Sequence, residues 1–399
     1  MHLKKISSLF VAIAFLAIGY GMILTFVGVY LKEMEISNTL IGIINASFFL
    51  GAVLSSIFSQ KIISTVGHIR SFAAFASIMV VTFLIHSLYF NEMLWMILRL
   101  ISGFSYYALL IVIESWLNEK SSEDERGKIL AVYTIVFYLA TAIGQLFLNI
   151  DEHFRQFIFA IGSVLVLFSV VVVSLTKIKE PVLKPFEKYS FPKIFSVVPL
   201  ATVSSFISGF FVGGFFTMVP VFILMENGSI ELVSKFMLIA LVGGLLSQWP
   251  IGILSDRLGR RKMISITSFA TAVTSLLFIV LSSINSIVLV LAFLLGLSIF
   301  SIYPLAVARA NDVVNENRDI VEISRALLFT YGLGSFIAPI IIGIGLTYIS
   351  NFLFATFAVL GVLLGVYALT REKVPDEDMS KFVNIPLASG AELPELDPR

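Results

Sequence analysis

Long apolar runs separated by short polar breaks fill the chain as far as about residue 370. A helix needs about 20 apolar residues to cross the hydrocarbon core of a bilayer. With that ruler the runs predict twelve spanning helices, at residues 9–31, 39–59, 72–88, 93–115, 128–149, 154–175, 199–225, 232–254, 263–282, 287–310, 323–348 and 352–369. A transmembrane β-barrel would instead show short segments of alternating polarity. The first run follows Lys4 and Lys5 but is too long for a signal peptide and lacks a clear cleavage site of small residues, so it reads as an uncleaved helix. The pattern therefore specifies an all-α polytopic membrane protein.

Composition agrees: 58% of the 399 residues are hydrophobic and 13% are charged. A soluble domain carries about twice that share of charge. A soluble enzyme, a disordered chain and a nucleic-acid binder are excluded. The few charges are unevenly placed. If both termini lie on one side, 23 of the 27 Lys and Arg fall on that side, Lys32, Arg155 and Lys235 fall on the other, and Arg99 lies inside a span. Positive charge marks the cytoplasmic side, so both termini are expected in the cytoplasm, which independently requires an even number of spans. The chain has no cysteine, and its four histidines, His2, His68, His86 and His153, are scattered. No disulfide, metal or cofactor is expected, and a monomer in the lipid bilayer is the expected state.

The longest internal connection, 177–193, carries five lysines and three prolines and splits the chain six spans from six. The expected units are a six-helix bundle at 1–176, the cytoplasmic linker, a second bundle at 194–370, and a polar, disordered tail at 371–399. The two halves are weakly similar. The run beginning Gly51-Ala-Val-Leu-Ser matches that beginning Gly243-Gly-Leu-Leu-Ser, and Gly67-His68-Ile69-Arg70 matches Gly259-Arg260-Arg261-Lys262, both at an offset of 192. Gly103 matches Gly296 and Asn118-Glu119 matches Asn311-Asp312, at 193. A near-constant offset indicates duplication, and paired six-helix repeats are the architecture of many secondary transporters.

The stretch from Gly252 through Asp256, Arg257, Gly259, Arg260, Arg261 and Lys262 resembles the signature loop of the major facilitator superfamily. The copy in the first half is degenerate, keeping only Gly67, His68 and Arg70. Together with Ile113-Glu114-Ser115-Trp116 and Gly144-Gln145, this form is similar to the YcaD-like branch of bacterial transporters. The resemblance implies a bacterial inner-membrane protein of two pseudo-symmetric six-helix bundles. It also implies a gating loop in which Asp256 braces the start of the fifth helix near Gly127, latching the halves together. The alternative for the basic residues of that loop is that they only satisfy the topology rule. Arg99-Leu-Ile-Ser-Gly103 looks like the superfamily's fourth-helix motif, which is linked there to proton coupling.

Polar groups inside the spans supply the candidate chemistry. Arg99 lies six residues from the outer end of its span, roughly 9 Å deep, where an unpaired arginine costs at least about a few kcal/mol. Arg99, Gly103, Tyr106, Tyr107, Leu110 and Glu114 form one helical stripe, expected to face a central cavity. Glu114 is the one carboxylate well inside a span and the first candidate for a proton carrier. The competing readings are a snorkelling anchor for Arg99 and an ion pair with Arg126 or Lys128 for Glu114. Tyr133, Thr141 and Gln145 share a face of the fifth span, Asn45, Gln248, Tyr303 and Tyr331 add uncharged polar groups, and Tyr20 and Phe215 stand in the first and seventh spans. As a set these residues suit an aromatic or amphipathic organic solute, although any one of them could simply hold helices together. Pro220, Pro250, Pro304 and Pro339 interrupt spans of the second half alone, so that half is expected to bend more.

The function expected is secondary active transport of a small organic solute by alternating access, coupled to protons. The alternatives are a drug or lipid exporter, a uniporter without ion coupling, and a membrane-embedded sensor or enzyme. The drug-antiporter motif of the fifth helix is missing, because residues 140–145 contain no proline.

Overall fold

A computed structural model describes residues 7–119, 123–155, 157–176, 197–281, 285–313 and 317–372. The expected linker at 177–193 and the tail beyond Glu372 lie outside them. The first half comprises α1 (Ser7–Glu33), α2 (Asn38–Val66), α3 (His68–Leu88), α4 (Glu92–Glu119), α5 (Glu123–Leu146) and α6 (Ile158–Ser174). The second comprises α7 (Pro199–Asn227), α8 (Ile230–Leu258), α9 (Arg260–Leu281), α10 (Asn285–Asn311), α11 (Asn317–Tyr348) and α12 (Phe352–Leu369). Eleven of these are long and apolar enough to cross a membrane, and α6 is an apolar helix of 17 residues. That helix is shorter than the run expected at 154–175, because the chain first makes a separate turn, Glu152–Arg155, in which Arg155 pairs with Glu33 at the end of α1.

The internal repeat is visible in how the helices begin and end. Ser37 caps α2 by accepting from the Leu40 N–H, and Ser229 caps α8 from the Leu232 N–H, 192 residues later. Each side chain satisfies one of the amide groups left open at a helix start. Both helices end at a glycine with positive φ, Gly67 at 92° and Gly259 at 87°, a backbone state that side chains with a Cβ avoid. These glycines make the tight reversals into α3 and α9.

Packing repeats as well. Within the first half, α2 packs on α4, α1 on α5 and α6, and α3 on α4 and α6; each pair recurs six helices later. The crossings of α2 with α4 and of α8 with α10 use the glycines of the repeat. A Cβ on Gly51 would overlap the Leu100 carbonyl and one on Gly103 the Phe48 carbonyl; Gly243 meets the Phe293 carbonyl and Gly296 that of Ala240 in the same way. In lipid no hydrophobic effect drives helices together, so this close van der Waals approach is what binds them.

The two halves join through α2 with α11, α5 with α8, and α1 with α7. These contacts cluster between mid-membrane and the end away from the termini. Asn38 Nδ2 donates to the Leu346 carbonyl at 3.2 Å, Thr39 and Thr347 share a hydrogen bond at 3.1 Å, and Ser234 donates to the Gln145 carbonyl at 2.7 Å. Gly42 fits against the backbone of Pro339 and Gly28 against that of Thr217. Gly332 on Val53, and Gly244 on the Tyr138 ring, lie nearest the middle. The far end is thus closed. At the opposite end, a Cβ at Gly127 would meet nothing within 4 Å.

Substitution Gly103→Val should force α2 and α4 apart and lower the melting temperature of the detergent-solubilised protein, or send it to the void volume in size exclusion. Gly127→Ala, with open space around it, should leave both readouts unchanged.

Candidate functional site

The stripe on α4 runs down the centre of the molecule. At mid-membrane Tyr106 stacks on Tyr20 of α1, with centroids 3.6 Å apart and planes within 9°. Phe48 of α2 lies against Tyr20, Tyr106 and Tyr107. Tyr303 of α10 meets Tyr331 of α11 at 4.8 Å. The phenol of Tyr331 lies within electrostatic range of Tyr107 and Tyr20, that of Tyr303 of Glu114 and Tyr107, and that of Tyr106 of Tyr20, Tyr133 and Glu114. Tyrosines of both halves therefore converge on one region.

The two charges sit at opposite ends of this cluster. Arg99, toward the closed end, is 1% exposed. Its Nη2 donates to Asn45 Oδ1 at 3.1 Å and its guanidinium lies 4.7 Å from the Phe48 ring centroid. Arg99 is thus held inside the bundle and does not snorkel to the surface. Glu114 lies toward the termini and is 2% exposed. The Tyr133 hydroxyl donates to its Oε1 at 2.9 Å, while its Oε2 has no hydrogen-bond partner among the described residues. The Lys128 side chain is exposed, and the side chain of Arg126 lies outside the described residues. The hydroxyls of Tyr106 and Tyr303 also lack hydrogen-bond partners there.

Other residues of the candidate set stand apart from this cluster. Thr141 donates to the Phe137 carbonyl of its own helix, and its backbone is the surface on which Gly21 packs. Gln145 donates to the Gly21 carbonyl at 2.8 Å and its own carbonyl accepts from Ser234, so it ties α1, α5 and α8 together at the closed end. Gln248 donates to the carbonyls of Gly244 and Phe300, joining α8 to α10. Phe215 packs among Phe216, Phe236 and Phe300 in the core of the second half. Tyr138 belongs to the cluster by its interaction with Tyr331 but was not foreseen. It lies five residues from Tyr133, off the face shared by Tyr133, Thr141 and Gln145.

At the loop between α8 and α9, Asp256 pairs with Arg260 at 2.5 Å and Arg260 reaches Asp312, at the end of α10, at 3.5 Å. The side chains of Arg260 and Asp312 are fully buried and that of Asp256 is 41% exposed. Arg260 therefore does more than mark topology: it fastens α9 to α8 and α10. Arg261 donates to the Arg371 carbonyl, whereas Arg257 and Arg70 are exposed and Gly252 is buried. In the first half the residue matching Arg260 is His68. It is buried and shares a 2.7 Å hydrogen bond with Ser115 near the end of α4. The same joint is ionic in one half and neutral in the other. Asp312 carried a sequence signal through its match to Glu119, but nothing in the sequence paired it with Arg260. Among the described residues no group of three or more His, Asp or Glu is arranged to hold a metal.

A two-bundle membrane fold with polar groups gathered at its centre defines a secondary transporter, and comparison with known proteins places it. The model of the Major Facilitator Superfamily matches residues 9–318 and 201–386, and the chain belongs to that superfamily. Within it the chain falls in the YcaD-like branch. It is 23% identical over 340 residues to the uncharacterized MFS-type transporter YcaD of Escherichia coli, covering 85% of this chain and 88% of that one. The fold is shared with two solved structures. The nucleoside transporter NupG has a TM-score of 0.74 at 17% identity, covering 93% of this chain and 99% of that one. The D-xylose-proton symporter has a TM-score of 0.74 at 13% identity, covering 98% and 100%. The protein is a multi-pass transporter of the bacterial inner membrane whose partner is a small molecule, and its class is transport, not catalysis.

Removing one partner of a buried ion pair costs about 3–5 kcal/mol, because the other charge is left stranded. Arg260→Ala should therefore destabilise the protein strongly in a detergent melt. Adding Asp312→Asn to it should recover much of the loss, which a double-mutant cycle would read directly.

Proposed function

We propose that the chain moves a small organic solute by alternating access, coupled to protons through Glu114. The observation that carries this reading is a carboxylate on the central stripe, buried with one hydrogen bond from Tyr133 and a second oxygen lacking a hydrogen-bond partner among the described residues. An ionised carboxylate in a dry interior is costly unless something neutralises it. A proton taken up at Glu114 removes that cost and lets the bundles close around it; release on the other side restores the charge. Tyr133 steadies one oxygen and leaves the other to exchange. Arg99, held by Asn45 and Phe48 at the opposite end of the stripe, is the fixed countercharge of the pathway.

Alternating access then consists of opening the joint of α2 with α11 and α5 with α8 while the opposite end closes. Asp256 and the surrounding loop act on that closure as a latch between the halves. Both termini lie in the cytoplasm, which makes the closed end periplasmic.

Reconstitution in liposomes with an imposed pH gradient and a panel of organic solutes tests the coupling. Wild type should accumulate solute against its gradient. Glu114→Gln should lose that accumulation yet keep downhill solute exchange. Full gradient-driven accumulation by Glu114→Gln would remove Glu114 as the carrier. Orientation is tested by single cysteines, the chain having none of its own. In intact spheroplasts a membrane-impermeant maleimide should label Lys235→Cys and spare Arg70→Cys.

A further inference from the structure

Basic side chains gather at the open end of the second half. Arg257 lies in the last turn of α8, Arg261 and Lys262 lie at the start of α9, and Arg309 lies in the last turn of α10. Arg257 and Lys262 are exposed, and Arg261 and Arg309 are partly buried. The carboxylates at hand are already engaged. Asp256 and Asp312 both lie on Arg260. Glu372 is within electrostatic range of Arg309, and so is Arg261, a like charge. Arg257 and Lys262 make no ion pair among the described residues, and the Arg261 Nε lacks a hydrogen-bond partner there. Cations outnumber carboxylates on this face, and like charges held close together repel until an anion joins them.

The chain delivers an anion to this face. After α12 the backbone is drawn onto it: Arg261 donates to the Arg371 carbonyl, and Arg309 Nη2 donates to the Glu372 carbonyl at 3.0 Å. These contacts fix where residues 373–399 begin. The sequence continues Lys373-Val374-Pro375 and then Asp376-Glu377-Asp378, three consecutive acids. The later acids, Glu392, Glu395 and Asp397, stand singly. At about 3.5 Å per residue, Asp376 lies at most about 14 Å from Glu372, and Asp378 at most about 21 Å. An exposed ion pair is worth little by itself. A tether this short raises the effective concentration to roughly millimolar, so a weak contact of three charges is enough.

We propose that the acidic run Asp376-Glu377-Asp378 docks on the basic face formed by Arg257, Arg261, Lys262 and Arg309. Arg261 and Arg309 hold the root of this strap by its backbone, and the exposed Arg257 and Lys262 take its charges. Lys373 and Lys381 flank the run with the same sign as the loop, which confines the contact to these three acids. Docked there, the tail fastens the α8–α9 loop to its own half while the space around Gly127 in the first half stands open.

Cross-linking in the full chain tests this, the sequence having no cysteine of its own. Met379→Cys marks the tail beside the run without altering its charge. Leu258→Cys marks the loop, and Val66→Cys marks the matching place in the first half, 192 residues earlier; both positions are exposed. With a short bismaleimide in phosphatidylcholine nanodiscs, the pair at 258 and 379 should cross-link about tenfold faster than the pair at 66 and 379. Neutralising the run with Asp376→Asn, Glu377→Gln and Asp378→Asn, or the loop with Arg257→Gln and Lys262→Gln, should remove most of that preference. Salt at about 1 M should do the same, because the screening length falls to about 3 Å. Neither set of substitutions touches a buried ion pair, so both variants should keep the parent melting temperature. Glu377→Lys should weaken the cross-link, and adding Lys262→Glu should restore it. Equal rates for the two pairs, or a preference indifferent to the substitutions and to salt, would overturn the proposal. Loss of the preference when phosphatidylglycerol replaces phosphatidylcholine would overturn it too, because the basic face would then belong to lipid headgroups.

Discussion

Charge cannot stand alone in a dry interior. Much of what is particular to this protein follows from how it meets that constraint at three places. Arg99 donates to an amide oxygen and lies against an aromatic face, its Nε lacking a hydrogen-bond partner among the described residues. Arg260 is satisfied by two carboxylates, one of them fully buried. Glu114 has a single tyrosine hydroxyl on one oxygen. Of the first two, Arg260 is matched charge for charge by carboxylates within its own half. The third holds the carboxylate in place without neutralising it, which suits the proton-carrying role proposed for it.

Duplication supplies the frame around that centre. The serine caps, the positive-φ glycines and the glycine crossings recur at offsets of 192 or 193, so each half builds the same joint between its second and fourth helices. The halves then diverge where chemistry is attached. At the start of the third helix of each half, His68 makes a neutral hydrogen bond to Ser115, while Arg260 makes a buried ionic one to Asp312. The ionic joint is the costlier to break by substitution, because removing either partner strands a charge. The second half also carries all four intramembrane prolines, within helices that run unbroken through them.

Much of this was legible from residue order alone. Twelve apolar runs, the bias of lysine and arginine to one side, and the repeat offset were enough for the fold class, the division into halves and the resemblance to a transporter superfamily, because hydrophobic length and charge placement are properties of segments. The stripe from Arg99 to Glu114 was legible too, since helical spacing alone puts those residues on one face. Residue order could not say which polar side chains are occupied by neighbours. Gln145 and Gln248 looked like members of the site, but they hold helices together, because a backbone carbonyl of an adjoining helix lies within reach, while Thr141 donates to a carbonyl of its own helix. Tyr133 as the partner of Glu114, Asn45 as the partner of Arg99, and Asp312 beside Arg260 are pairings between distant helices, and only packing brings them together. The sequence determined that this protein crosses the membrane as two related bundles with one acid and one base along the central helix. The tertiary structure decided which of those charges is tied down and which is left able to take a partner, because the neighbours of a buried group come from other parts of the chain.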